Sequence, residues 1–276
     1  MRWLQFIFSH SLFVSLCAAA LCFQTCVLLN RTCDQNIYLL VFFSTLCSYN
    51  FYWLLSKYRF SDRSISVRFL EKTSGNLFLV FISAAGAGFC IFHLPGVIPF
   101  LLPGLILTLL YSLPLWPGKF IAALTQFGFM KTVLLALTWT YVTTALPVYN
   151  DFQISENFML LLVARFSFML MLCAIFDNRD KSIDKIHGLR SLATDVSPHV
   201  LRILVILMFV VFISSGFLLR SHLQDHQQLI SFILTGIVVL LVYIISLRKR
   251  SYLFYYFIVD GLMLFSSATT YLATII

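Results

Sequence analysis

Long apolar runs separated by short polar stretches make up most of this chain. An α-helix needs about 20 apolar residues, within a range of roughly 17–25, to cross the hydrocarbon of a bilayer. Nine segments meet that requirement: 9–29, 37–56, 77–94, 96–113, 129–147, 157–176, 199–219, 228–247 and 253–274. None alternates with the period of two that a spanning strand requires, and an open sheet edge in lipid leaves backbone groups unpaired. The pattern predicts an all-α integral membrane protein of about nine transmembrane helices, built as a single polytopic domain over residues 1–276. Pro95, Pro99, Pro103, Pro114, Pro117 and Pro147 blur the ends of spans three to five or kink them. The first apolar run continues past the small residues at 18–20 to Leu29, so it reads as a retained helix rather than a cleaved leader.

Composition strengthens the reading. Of 276 residues, 60% are hydrophobic and only 11% are Asp, Glu, Lys or Arg, whereas soluble domains carry about a quarter charged residues. The net charge of +8 bears on orientation in a membrane, not on nucleic acid. With the N-terminus in the cytoplasm and nine alternating spans, sixteen of the nineteen Lys and Arg residues fall on the cytoplasmic side. Arg31 and Arg220 fall outside, and Arg165 lies within span six. The cytoplasmic loops are then about 57–76 and 177–198, while the outer loops 30–36 and 148–156 are short. The seven cysteines lie mostly within apolar runs and read as packing residues rather than a disulfide framework or a zinc site.

The second loop changes the picture. Residues 177–190 read DNRDKSIDKIHGLR and place three aspartates, two arginines and two lysines at the end of an apolar helix. Asp177, Asp180 and Asp184 share one helical stripe. Such carboxylates repel one another unless a cation sits among them, and Mg2+ takes oxygen ligands and is often shared with substrate phosphates. Arg179, Lys181, Lys185 and Arg190 are candidates to hold phosphate oxygens, and Gly188 to end the helix. The plain alternative is a solvated loop whose charges hold the topology.

The run DNRDKSIDKIHGLRSLA resembles the second aspartate-rich motif of the UbiA superfamily of intramembrane prenyltransferases, through Asp177, Arg179, Asp180, Asp184, Lys185, Gly188, Ser191 and Leu192. Ser191 stands where the family has Thr, and Ala193 where it has Pro. The resemblance implies helices around a central cavity open to the cytoplasm. It implies Mg2+ held by Asp177, Asp180 and Asp184, with Asp180, Asp184 and Lys185 as catalytic residues. The implied substrates are a prenyl diphosphate and a lipophilic acceptor, in contact with membrane lipid and most simply in a bacterial inner membrane. The family's first motif, N-D-x-x-D, falls at the cytoplasmic end of span two. There this chain keeps Asn50 but has Phe51 and Leu54 in place of the aspartates, with Asp62 further on. Two readings follow: a Mg2+-dependent transferase, or an impaired relative that binds isoprenoid lipid or a membrane partner without turnover.

Further candidates carry plain alternatives. Asn50 serves substrate or an interhelical hydrogen bond. Arg68 and Lys72 serve a lid over the substrate or a solvated, lipid-facing surface. Lys131 serves a diphosphate or snorkels. His187 reads as a bystander beside oxygen ligands that suit Mg2+ better. Arg165 and Asp260 lie inside predicted spans, where ionisable groups need a partner. The expectation is that they pair, with Arg165 reaching toward substrate as the alternative.

Overall fold

The computed structural model describes residues 11–60, 67–112, 128–186, 190–223 and 226–275, and within them not the side chains of 58–60, 67–74, 183, 185 and 220–223. Every secondary-structure element among the described residues is helical, with no strand. In chain order the helices are α1 (Leu12–Leu28), α2 (Gln35–Phe60), α3 (Val67–His93), α4 (Ile98–Ser112), α5 (Gly128–Thr140), α6 (Glu156–Ile186), α7 (Leu192–Asp195), α8 (Pro198–Leu223), α9 (His226–Ser246) and α10 (Asp260–Ile275). A π-helical turn, Tyr141–Ala145, and a 3-10 turn, Leu146–Asp151, extend α5, and a second π-helical turn, Phe254–Val259, leads into α10. Seven helical segments are long and apolar enough to cross a membrane, and α1 and α4 are shorter apolar helices. Together they fall on the nine predicted spans.

Neighbours pack in the order α3, α2, α1, α10, α9, α8, α6, α5, α4, a ring whose two end helices are joined by the short link 94–97. The side chains turned outward are large and apolar, among them Phe81, Phe92 and Ile230 at 73%, 85% and 63% exposure. That is the inverse of a water-soluble surface and suits contact with lipid. α6 is the most enclosed span, and its residues 168–175 are all buried.

Helix ends follow local chemistry. The Ser155 hydroxyl caps α6 by accepting from the Phe158 N–H at 3.2 Å. Ser197 caps α8 in the same way, and Pro198 takes the first helical position, where its missing N–H costs nothing. Pro147 has the opposite effect. It cannot donate to the carbonyl four residues earlier, Thr143 O, and the chain there passes from π to 3-10 geometry. The freed Thr143 carbonyl accepts from the Thr25 hydroxyl of α1 at 2.7 Å.

Two expectations change. The stretches 57–76 and 177–198 are less loop than helix, because α2 runs to Phe60, α3 begins at Val67 and α6 continues to Ile186. Hydropathy marks where lipid ends, not where the backbone hydrogen bonds stop. Cys26 and Cys33 form a disulfide, so they are not free packing residues. The reason is local: α1 ends at Leu28 and the turn brings the two Cα atoms to 6.2 Å, within bonding reach. Arg31 in the same turn pairs with Asp151 at the far end of the α5 extension.

Candidate functional site at the charged end of α6

The three motif aspartates stand on one stripe of α6, but each faces a different task. Asp177 is a scaffold residue. Its Oδ2 accepts from the Thr132 hydroxyl at 2.5 Å and from the Leu192 N–H at 3.0 Å. It thereby holds α5 and the short α7 against α6. Gly128 completes the same joint. Its N–H donates to Asp195 Oδ2 at 2.7 Å, and an added Cβ would lie 2.3 Å from the Ser191 nitrogen, so only glycine lets α5 approach this closely. The 190–195 segment is pinned further where the Ser191 N–H donates to Thr194 Oγ1 at 2.8 Å.

Asp180 accepts two bonds from its neighbour Arg179, from Nε and Nη2, both at 2.7 Å. This fork-to-carboxylate geometry is the strong form of an ion pair. The guanidinium also lies against three rings, 4.9 Å from Phe176, 5.1 Å from Tyr255 and 5.0 Å from Tyr256. The π-helical turn before α10 thus supplies two walls of an aromatic cage. Asp184, beyond the lipid-crossing part of α6, is buried at 8% exposure. Burial raises its carboxyl above the ordinary range, and the nearby Lys131 charge works against that shift.

Lys131 of α5 enters this group from the side. The carboxylates whose fields reach its ammonium are those of Asp177, Asp184 and Asp180, and the Tyr52 phenol lies near them. Tyr52 comes from α2, from the position between Phe51 and Leu54, and stacks on Tyr111 of α4 at 5.2 Å. The site therefore joins α2, α4, α5, α6 and the turn before α10. Lys181 is half-buried at the same end of α6. The side chains of Lys185, Arg68 and Lys72, and residues Asp62, His187 and Gly188, lie outside the described residues.

Asn50 has an interhelical role. Its amide donates to Leu46 O at 2.8 Å and accepts from Asn76 of α3 at 3.0 Å, and it is 1% exposed.

The expected pair of Arg165 and Asp260 does not form. Arg165 donates from Nη1 to Gln24 Oε1 at 2.7 Å and from Nη2 to Thr25 Oγ1 at 3.1 Å and Leu21 O at 3.2 Å. Gln24 in turn donates to Ser266 Oγ at 3.0 Å and Thr270 Oγ1 at 2.8 Å on α10. Arg165 lies twelve residues before Asp177, about 18 Å along the helix, so it does not join the charged end. Neutral acceptors take its two terminal nitrogens where the acid of α10 does not reach it, and its buried Nε has no hydrogen-bond partner among the described residues. Asp260 belongs to the other end, where Arg179 is the cation whose field reaches it.

Mg2+ seeks several oxygen donors converging on one point. Among the described residues no group of three acidic, His or Cys side chains is arranged to hold a metal. Asp177 and Asp180 already accept internal donors. Among the described residues, the donor set as folded does not fit the expected ion.

The signals that sequence reasoning missed were available in part. Thr132 lies next to Lys131, and Tyr255 and Tyr256 precede an ionisable residue within a span. Nothing in their spacing placed them against Asp177 or Arg179.

No protein-family model matches the chain, and no curated protein does. Among solved structures, a UbiA homolog from Aeropyrum pernix K1, described as an apo structure, is similar in fold with a TM-score of 0.65. The match covers 95% of this chain and 96% of that one at 13% sequence identity. The architecture of this protein is therefore that of a UbiA-like intramembrane helical bundle.

Proposed function

We propose that this protein binds a prenyl diphosphate at the charged end of α6 and transfers the prenyl group to a lipophilic acceptor. The observation that carries the reading is the joint occurrence of a UbiA-like fold over nearly the whole chain and a mixed-charge cluster, Lys131, Arg179, Asp180 and Asp184, where α6 leaves its lipid-crossing segment. The diphosphate would sit with the cations while the hydrocarbon tail stays among apolar helices. In the reaction the bond between the prenyl carbon and oxygen breaks and its electron pair leaves with the diphosphate. The acceptor then bonds to that carbon and gives up a proton. Lys131 and Arg179 would stabilise the charge that gathers on the leaving oxygen. Tyr52, Tyr255 and Tyr256 offer ring faces beside it, and exclusion of water protects the carbocation.

The proposed orientation puts the N-terminal side of α1 and the charged end of α6 in the cytoplasm of a bacterial cell. The Cys26–Cys33 disulfide and the Arg31–Asp151 pair support it. Both would lie outside, in the oxidising compartment where disulfides persist.

A second reading, binding without turnover, is favoured by one feature. The family's first-motif aspartates are replaced by Phe51 and Leu54, and the remaining Asn50 is occupied with Asn76. One assay decides between them. Purified protein receives labelled prenyl diphosphates with aromatic acceptors, and diphosphate release is followed. Release that disappears in Asp184→Asn supports transfer. Saturable binding without release supports the second reading, and neither binding nor release removes both.

A further inference from the structure

Resting on the prenyl diphosphate reading, we infer that this site holds its anionic head group through side-chain cations and needs no divalent metal. A metal-bridged site requires carboxylate oxygens left open for the ion. Here two of the three motif carboxylates already take internal donors. Both oxygens of Asp180 accept from Arg179 at 2.7 Å, and that guanidinium is fixed among Phe176, Tyr255 and Tyr256. Asp177 Oδ2 accepts two bonds that hold α5 and α7 in place. Withdrawing Asp177 toward a metal would undo the joint of α5 and α7 with α6, and withdrawing Asp180 would take it from Arg179.

The opposite helix points the same way. A second metal-binding cluster would need acids on α2, where Phe51 and Leu54 stand instead. No hydrogen bond or ion pair among the described residues ties down the Lys131 ammonium. It has three donors, and phosphate oxygens are strong acceptors for them. Lys131 is therefore the first contact for the head group. Arg179 is the second, held at a fixed angle by its cage.

The test uses the full chain in lipid nanodiscs with farnesyl diphosphate as the probe. Binding is titrated in magnesium and again in EDTA. The inference expects the two dissociation constants to agree within about twofold. It also expects Mn2+ added with the probe to give no protein-bound resonance signal, and Lys131→Met to weaken binding about tenfold or more. Binding that needs magnesium, or bound Mn2+ in the presence of probe, overturns the inference and leaves the prenyl diphosphate reading standing. Absence of binding under both conditions overturns that reading, and the inference with it. The magnesium–EDTA comparison is made on the unaltered chain, so it does not depend on a variant folding.

Discussion

Arg165 and Arg179 lie fourteen residues apart on one helix, α6, and they solve the problem of a guanidinium near lipid in opposite ways. Arg165 is 4% exposed and meets only neutral acceptors, Gln24, Thr25 and the Leu21 carbonyl. It links α6 to α1, and through Gln24 to α10. Arg179 meets a carboxylate and three rings, and its side chain keeps 23% of its exposure. Depth accounts for the difference. A buried charge with every neighbour committed acts as a fastener, because losing a partner leaves it unsatisfied in a medium that cannot replace it. A charge at the water boundary, in an opposite-charge pair, can exchange part of its contact for a ligand.

Substitutions should separate the two. Gln24→Leu removes the acceptor of Arg165 Nη1 and the donor to Ser266 and Thr270. It should lower unfolding stability by about 3 kcal/mol, measured by denaturant titration in detergent, while prenyl diphosphate binding by the folded fraction is unchanged. Equal loss of binding and stability would dissolve the distinction between the two regions. Gly128→Ala forces a Cβ onto the Ser191 backbone. It should cost about 2 kcal/mol and disturb binding as well, because the 190–195 segment and Asp177 move together. Arg179→Gln should reverse the Gln24→Leu pattern, with binding about tenfold weaker and stability nearly unchanged. Tyr256→Leu removes one wall of the cage and should weaken binding by about 0.5–1 kcal/mol.

The smallest effect concerns pH. Burial raises the Asp184 carboxyl above its ordinary value of 3.8, so the folded state favours the neutral form. The stability this gives is complete below the ordinary value and is lost as pH rises through the raised one. Asp184→Asn lacks that titration. The stability difference between the unaltered chain and Asp184→Asn should therefore shift against the unaltered chain as pH rises through that window. A constant difference would place Asp184 in contact with water.

Much of this architecture was readable from the apolar runs, because span length is set by bilayer thickness and by little else. The charged stretch at 177–190 was readable for the same reason, standing out against a chain with so little charge. Partnerships were not. Arg165 and Asp260 are the two ionisable residues that hydropathy places deep within spans, and pairing them follows from that view. Yet the neutral Gln24 of α1 is the partner of Arg165, and polar neutral residues carry no such flag in a sequence. The same holds for Thr132, whose hydroxyl fixes Asp177. Pro147 shows an intermediate case. A break in α5 is expected from the residue alone, but the use of the freed carbonyl by Thr25 depends on which helix lies beside it.

The most direct test of the account is a structure of the protein in lipid with a non-reactive prenyl thiodiphosphate bound. The account predicts the two phosphorus atoms beside Lys131 and Arg179 at the end of α6, with the hydrocarbon chain running into the ring of helices. Phosphorus density at the Arg165 end, or on the lipid-facing surface of the bundle, would contradict it.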